Sequence, residues 1–279
     1  MEGAGSIVRL RLDSRPQTLT IIRGVLGGVA EQLALDPELL DDLKTSVSEA
    51  CNNVVLHAYK GGAGPMEVGL FVSGERFTVT VADRGVGFDS PPVLVDGAGG
   101  IGLSVIRALA QEFRLRQLPA GGTEVRMDFA ARRDGRPLLR APAQPEPDGE
   151  LAAPAADEVV ISLSPVTLVA GVLGRLARTL AATAHFSLDR FSDIYLITDT
   201  LAAHAASAAQ GGRIEARVSA RSRRLELLVG PFRSGTGSRL DVVAADHPAS
   251  PLVLLSDEVS VVEDGDAERL RVVVIDHRD

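Results

Sequence analysis

Residues 35–59 read LDPELLDDLKTSVSEACNNVVLHAY, and their apolar side chains recur at intervals of three and four positions. This spacing predicts a single long amphipathic helix whose apolar stripe faces a core. Asp36 is suited to cap the helix, Pro37 suits its first turn, and Gly61-Gly62 end the pattern. The stripe consists of Leu40, Leu43, Val47, Cys51, Val54 and Val55.

Glu49 and Asn53 lie beside this stripe, on an adjoining face of the same helix. They are one helical turn apart, so both side chains point in the same direction. Such a pair by itself is typical of a solvated helix surface. Its meaning therefore depends on the rest of the chain.

The composition limits the class of protein. The chain has 279 residues, of which 45% are apolar, and this is enough for two domains with aliphatic cores. A formal net charge of -8 argues against a protein that binds nucleic acid phosphates. Cys51 is the single cysteine, so neither an internal disulfide nor a Cys/His metal cluster is expected. The first residues lack a signal-peptide pattern and no apolar run could span a membrane, so we expect a soluble cytoplasmic protein.

The first half of the chain predicts a two-layer α/β sandwich. Hairpins indicate a mainly antiparallel, mixed sheet, and the helices must cover one face of it. In chain order we predict a strand at 6–12, a helix at 18–33, the long helix at 35–59, strands at 66–72 and 76–82, a glycine-rich loop at 83–102, a helix at 103–110, and strands at 113–118 and 123–129.

The second half repeats this order after a segment rich in proline and alanine. Gly24-Val25-Leu26-Gly27 returns as Gly171-Val172-Leu173-Gly174. We therefore predict a tandem duplication, with a first domain at 1–131, a linker at 132–156 and a second domain at 157–279. The repeated elements are a strand at 159–163, a long helix at 189–208, and strands at 213–218, 224–229, 259–263 and 270–275.

Three glycine-containing motifs follow the predicted strands of the first half. In the segment VADRGVGF, residues 81–88, an aspartate at a strand end can accept a hydrogen bond from an exocyclic amine, and the glycines allow close approach to a flat ring. The segment GAGGIG, residues 97–102, opens a helix, where free N–H groups are suited to phosphate. Gly121-Gly122-Thr123 begins the last strand. Each motif alone is also typical of an ordinary turn or connector.

In their order and spacing, the Glu49/Asn53 pair and these motifs resemble the ATP-binding domain of the GHKL superfamily, which includes gyrase, heat-shock chaperone, histidine kinase and mismatch-repair ATPases. The resemblance covers residues 6–130 and implies a Bergerat-type fold. The wording SEACNNVVLHAY, residues 48–59, is most similar to the bacterial anti-sigma factor serine/threonine kinases. The short spacing between the first two motifs, residues 88–96, is similar to theirs as well.

The resemblance gives roles to eight residues. It implies that Glu49 is the catalytic base and that Asn53 binds Mg²⁺ together with the ATP phosphates. It also implies that Asp83 accepts a hydrogen bond from the adenine amino group. The other implied ATP-binding residues are Gly85 and Gly87 at the adenine, Gly100 and Gly102 at the phosphates, and Thr123 behind the adenine-side hydrogen bonds.

The lid of the first domain departs from the family's pattern. Residues 89–99 read DSPPVLVDGAG and contain no lysine or arginine, whereas many of these kinases carry a basic residue there. Neutralisation of the γ-phosphate would then fall to Arg84, to Lys60 or to a partner. His57 and Tyr59 are interpreted as helix-end packing or surface residues.

The second domain lacks the residues that carry this chemistry. Ungapped comparison of the two halves puts Thr200 at the position of Glu49, His204 at that of Asn53, and Pro231 at that of Asp83. No glycine-rich helix start follows Ser234-Gly235-Thr236-Gly237. We therefore predict a degenerate copy that does not bind ATP.

Together these features predict an ATP-binding regulator that phosphorylates a serine of a small antagonist protein and sequesters a sigma factor, both partners being implied by the resemblance. A non-catalytic, ATP-dependent binding switch is the alternative, and the lack of a basic residue in the lid favours it. A histidine-kinase catalytic domain is disfavoured, because we expect no helical hairpin with a phosphoacceptor histidine in the roughly 35 residues before the long helix. The linker would let the two copies pack as an intramolecular pseudodimer in a monomeric chain, without contact to nucleic acid or membrane.

Overall fold

A computed structural model describes residues 6–73, 75–87, 100–130, 154–155, 157–237 and 250–277. The chain divides into two compact units, residues 1–156 and 157–279. The predicted lid, the first part of the second glycine motif and nearly all of the predicted linker lie outside the described residues. In the part of the chain that is described, no helix is both long and apolar enough to cross a membrane.

The first unit has the predicted order of elements, and its strands form an antiparallel sheet in the order β4-β5-β3-β2-β1. The helices and strands begin and end within a few residues of the predicted positions. They are β1 (Ser6–Asp13), α1 (Thr18–Leu33), α2 (Pro37–Asn53), a π-helix (Val54–Ala58), β2 (Pro65–Ser73), β3 (Arg76–Asp83), α3 (Gly100–Leu109), β4 (Glu112–Gln117) and β5 (Thr123–Ala130).

Alternation of side chains along the strands separates a buried face from a charged one. In β1, Val8, Leu10 and Leu12 are buried, whereas Arg9 and Arg11 point to the other face and pair there with Glu67. This period of two places the aliphatic residues of the sheet against the apolar stripes of the helices. The core that results includes Val25 and Val29 of α1, Leu43, Val47 and Cys51 of α2, and Val68, Leu70, Phe77, Val79, Val81, Val125, Met127 and Phe129 of the sheet.

The predicted long helix is confirmed at its start and changed at its end. The Asp36 side chain accepts a hydrogen bond from the Glu38 amide at 2.9 Å, and Pro37 is the first helical residue, as the capping pattern predicts. The prediction of one uniform helix to residue 59 was wrong, because α2 ends at Asn53 and residues 54–58 form a wider π-helical turn. This turn directs the Ala58 carbonyl to the Val86 amide, which donates to it at 3.0 Å.

Cys51 is fully buried on the stripe of α2, as the sequence predicts. Burial raises the pKa of its thiol to about 12. The thiol therefore stays protonated at neutral pH and acts as a small apolar core residue.

The second unit repeats the order of the first, with an antiparallel sheet in the order β6-β7-β8-β10-β9. A short helix at 251–255 was not predicted. Its sequence nevertheless has a typical helix start, because Ser250 is the N-cap and Pro251 is the first helical residue. The elements are β6 (Glu158–Leu163), α4 (Leu168–Thr183), α5 (Leu188–Ala208), β7 (Ile214–Arg221), β8 (Arg224–Arg233), α6 (Pro251–Leu255), β9 (Glu258–Asp264) and β10 (Ala267–Ile275).

Candidate nucleotide site

The candidate site begins with Asp83, the last residue of β3, whose carboxylate is buried. The antiparallel pairing of Ala82 with Glu124 brings Asp83 next to the first residue of β5, Thr123. One carboxylate oxygen accepts a hydrogen bond from the Gly85 amide at 2.7 Å, and the other accepts one from the Thr123 hydroxyl. Each carboxylate oxygen has a second lone pair, so Asp83 can still accept a hydrogen bond from a bound amine.

Glycines allow the backbone segments around Asp83 to approach each other closely. A Cβ atom at Gly85 would clash with the Ala58 carbonyl oxygen, and one at Gly122 would clash with the Asp83 carbonyl. Gly122 also has φ +86° and Gly87 has φ +70°, conformations that a side chain disfavours. The glycines of two motifs are thus required by close packing and by backbone conformation at the same end of the sheet.

Glu49 of α2 lies against the beginning of α3. A Cβ atom at Gly102 would be only 2.6 Å from a carboxylate oxygen of Glu49, so glycine at this position makes room for that carboxylate. Gly100 is the first residue of α3, and the first turn of a helix has amide groups without partners inside the helix. The fold therefore brings a carboxylate to the first turn of α3, at Gly102, which is 53 residues further along the chain.

Asn53 is the last residue of α2 and, like Glu49, is half-buried. The helix places it one turn beyond Glu49. Among the described residues, no group of three or more His, Cys, Asp and Glu side chains could hold a metal ion. The amide oxygen of Asn53 is a hard ligand of the kind that Mg²⁺ takes together with phosphate oxygens and water.

The eight predicted site residues thus fall into two groups. Asp83, Gly85, Gly87 and Thr123 meet at the ends of β3 and β5. Glu49, Asn53, Gly100 and Gly102 belong to α2 and α3, which contact each other at Glu49 and Gly102. Two other candidates, Arg84 and Lys60, have exposed side chains, and so does His57.

Comparison with known proteins identifies the relatives of this fold. Residues 12–129 match the family model described as "Histidine kinase-like ATPase domain". The serine-protein kinase RsbW of Bacillus licheniformis is 34% identical over 137 residues, which cover 44% of this chain and 85% of that protein. The chain belongs to the RsbW family of histidine kinase-like ATPases.

Two further relatives have a similar range of identity. The serine-protein kinase RsbW of Bacillus subtilis (strain 168) is 33% identical over 130 residues, or 42% of this chain and 81% of that protein. The anti-sigma F factor of Thermoanaerobacter sp. (strain X514) is 30% identical over 131 residues, or 44% of this chain and 92% of that protein. The match to the family model ends at residue 129, before the second unit begins.

At the positions that correspond to Glu49 and Asn53, the side chains of the second unit make contacts within that unit. Thr200, at the position of Glu49, donates a hydrogen bond to the Leu196 carbonyl of its own helix at 2.8 Å. His204, at the position of Asn53, packs edge-on against the buried Phe232 with 4.7 Å between ring centres. Burial lowers the pKa of His204, so this ring is neutral at pH 7.

Glu268 lies on β10, the strand of the second sheet that corresponds to β5, close to the position that Thr123 has in the first. Val229 pairs with Leu270 just as Val81 pairs with Val125, but a register shift between Glu268 and Leu270 pairs Glu268 with Phe232, one residue beyond Pro231. Its buried carboxylate accepts hydrogen bonds from the Gly235 and Gly237 amides and from the Thr236 hydroxyl. Its oxygens are thus bound by the loop that follows β8. Comparison of the two sequence halves does not single out Glu268, because only the pairing of β10 with β8 brings it to this end of the sheet.

Tyr59 is a site-adjacent residue that the sequence interpretation missed. Its hydroxyl donates a hydrogen bond to the Pro65 carbonyl at 2.6 Å and accepts one from the Arg84 amide at 2.9 Å. Arg84 directly follows Asp83, so this tyrosine belongs to the surroundings of the candidate site and not only to the end of a helix. The position of Tyr59 next to a glycine-rich turn is a weak signal in the sequence, because its hydrogen-bond partners are six and 25 positions away.

Proposed function

We propose that the chain is an ATP-dependent protein serine/threonine kinase that phosphorylates a serine of a small antagonist protein and that sequesters a sigma factor. The observation that carries this proposal is the contact of the Glu49 carboxylate with Gly102 at the start of α3. It supports a site in which a proton acceptor lies beside amides suited to phosphate. Family membership supports the same activity, since relatives of this chain are named serine-protein kinase and anti-sigma F factor.

In this proposal Glu49 accepts the proton of the attacking serine hydroxyl. A carboxylate within hydrogen-bond reach of a hydroxyl can take its proton as the oxygen attacks the γ-phosphate. Glu49 is half-buried, so a substrate hydroxyl can reach it from solvent. Phosphoryl transfer depends mainly on positioning and charge neutralisation, so a site with few catalytic side chains can be sufficient.

Asp83 binds the adenine base in this proposal. Its buried carboxylate keeps two lone pairs after its bonds to Gly85 and Thr123, and one of these accepts the exocyclic amino group of adenine. The Thr123 hydroxyl donates to Asp83 and so keeps its own oxygen available to a donor on the nucleotide or to a water. Gly85 and Gly87 line the base, and Gly100 and Gly102 contact the phosphates.

Asn53 supplies the protein ligand for Mg²⁺ in this proposal. The donor set supports it, because an amide oxygen is a hard ligand and Mg²⁺ commonly takes its other ligands from phosphates and water. The ion would neutralise phosphate charge during transfer. We also propose that the protein acts in the cytoplasm, where ATP and sigma factors are available.

The kinase assay compares wild-type protein with Glu49→Gln. Each protein is incubated with Mg²⁺-ATP and with antagonist candidates encoded beside it, and phosphoserine is located by mass spectrometry. Glu49→Gln should keep ATP affinity and lose transfer by about 100-fold or more, because glutamine keeps the shape but cannot accept the proton. Glu38→Gln, an exposed position at the start of the same helix, is the matched control. Transfer at the wild-type rate by Glu49→Gln would show that Glu49 is not the base.

We further propose that residues 157–279 form a degenerate copy that takes the place of a second chain. The linker of 25 residues, 132–156, is long enough to allow an intramolecular pairing of the two copies, at an effective concentration near the millimolar range. The chain should then be monomeric with ATP and should bind one sigma factor per chain. Light scattering during an ATP titration tests this. A stable dimer of whole chains would contradict the proposed pseudodimer.

A further inference from the structure

Tyr59 connects the end of the π-helix to the residues that follow Asp83. Its ring lies over Gly64, where a Cβ atom would overlap the ring. Gly64 is itself held by Ser14, whose amide donates to the Gly64 carbonyl at 2.8 Å and whose hydroxyl accepts from the Gly64 amide at 3.1 Å. The tyrosine ring is therefore seated on a backbone segment that is fixed to the end of β1.

Three consecutive amides of the turn after β3 each have their own acceptor. The Arg84 amide donates to the Tyr59 hydroxyl at 2.9 Å, the Gly85 amide to Asp83 at 2.7 Å, and the Val86 amide to the Ala58 carbonyl at 3.0 Å. The middle bond, which orients the Asp83 carboxylate, is thus held on both sides by the last residues of the π-helix. Loss of either flanking bond would allow the turn, and with it the carboxylate, to rotate.

The hydroxyl of Tyr59 is suited to this task at neutral pH. Burial raises its pKa above the usual value for tyrosine. The hydroxyl therefore keeps its proton, which it donates to the Pro65 carbonyl at 2.6 Å while its oxygen accepts from Arg84. A phenylalanine at this position would keep the ring on Gly64 but leave the Arg84 amide without this acceptor.

We propose that Tyr59 is a positioning residue that makes the site selective for adenine by fixing the Asp83 carboxylate. Its contacts are with Gly64, Pro65 and Arg84, and it acts through the turn at residues 84–86. The inference rests on the proposed function, since it assumes that Asp83 accepts the 6-amino group of adenine. Tyr59 should therefore matter for nucleotides that carry this amino group and not for those that lack it.

The experiment measures the dissociation constants of ATP and of inosine triphosphate, which carries an oxygen in place of the 6-amino group, with the full chain. In Tyr59→Phe, the constant for ATP should rise about three- to tenfold, and the constant for inosine triphosphate should stay within about twofold of wild type. Gly64→Ala, which displaces the ring from its seat, should give the same pattern. Tyr195→Phe changes the other tyrosine of the chain, in the second unit, and should change neither constant.

A double-mutant comparison shows whether Tyr59 acts through Asp83. If it does, Tyr59→Phe should have no further effect on ATP affinity in an Asp83→Asn background. An equal loss of affinity for both nucleotides in Tyr59→Phe, or no loss for either, would overturn the positioning role. A wild-type chain that binds both nucleotides equally well would instead overturn the role proposed for Asp83. These results separate a failure of this inference from a failure of the proposed function.

Discussion

The two units of the chain have the same order of helices and strands. They differ in the buried carboxylate at the end of the central hairpin and in the hydrogen bonds that it accepts. In the first unit, Asp83 follows β3 and is bound by Gly85 and Thr123, with lone pairs left for a ligand. In the second unit, the carboxylate comes from Glu268 on β10, and its oxygens accept from the loop at residues 235–237. At the same end of the sheet, a carboxylate thus accepts one hydrogen bond on each oxygen in the first unit and three hydrogen bonds from a loop in the second.

This difference shows that the fold and the site depend on different residues. The period-two pattern of the strands and the apolar stripes of the helices are present in both units and are sufficient to form the sandwich. The site requires a few polar residues that the core does not use, such as Glu49 and Asn53. In the second unit, Thr200 bonds to its own helix and His204 packs on Phe232, so the fold is retained without the site.

The largest expected difference between the units is in ATP binding itself. Calorimetry should find one ATP per full chain, and residues 157–279 alone should bind none. The reason is that Pro231, at the position of Asp83, has no side-chain acceptor and that Glu268 accepts hydrogen bonds from its own loop. A second ATP per chain, or ATP binding by residues 157–279, would mean that the closed end of the second sheet can open.

The next largest effect is expected from Asp83→Asn. Asparagine replaces one carboxylate oxygen of Asp83, an acceptor, by an NH₂ group, which is a donor. In the proposed site this group would face the adenine amine, which would then lose its acceptor. A buried donor without a partner costs about 1–3 kcal/mol, so the dissociation constant for ATP should rise by roughly 5- to 150-fold. Calorimetry measures it. Asp41→Asn, an exposed change on α2, is the control and should leave the constant unchanged.

Glu268→Ala tests whether the buried carboxylate of the second unit stabilises that unit. It removes the acceptor of two amides and one hydroxyl in the loop after β8, so the second unit should lose about 1–3 kcal/mol of unfolding free energy. ATP affinity should not change. Urea unfolding gives the free energy, and hydrogen exchange should become faster in residues 231–237. Glu263→Ala, at an exposed position of β9, should do neither, and equal effects from both changes would contradict the role given to Glu268.

The smallest expected effect is a pH dependence of the stability of the second unit. Burial alone would raise the pKa of Glu268, but the hydrogen bonds from Gly237, Thr236 and Gly235 outweigh it and lower that pKa below its usual value. A carboxylate with a lowered folded-state pKa stabilises the fold above its unfolded pKa of about 4.3 and loses this contribution as pH falls through the folded value. Unfolding free energy should therefore fall below about pH 5, and Glu268→Gln should flatten that slope.

Much of the fold could be predicted because its signals are local. Asp36 and Pro37 fixed the start of α2, and alternation gave the central hairpin within one residue at each strand end. The glycine motifs indicated the turn after Asp83, and they indicated the start of α3 to within three residues, since the helix begins at Gly100 and not at Leu103. What local signals could not give is the change from α- to π-helix at Val54, because the bond from Val86 to Ala58 that accompanies it crosses 28 residues.

The amino-acid sequence by itself determined the elements, their order, the apolar faces and the types of residue available for chemistry, since these depend on neighbours within a few positions. Only the tertiary structure decided which of those residues meet. Three contacts join residues that are 25 to 53 positions apart. They are the contact of Glu49 with Gly102, the hydrogen bond between Tyr59 and Arg84, and the hydrogen bond from Gly235 to Glu268. Such pairs are set by strand register and helix packing, which depend on the whole core of a unit and not on any single stretch of the chain.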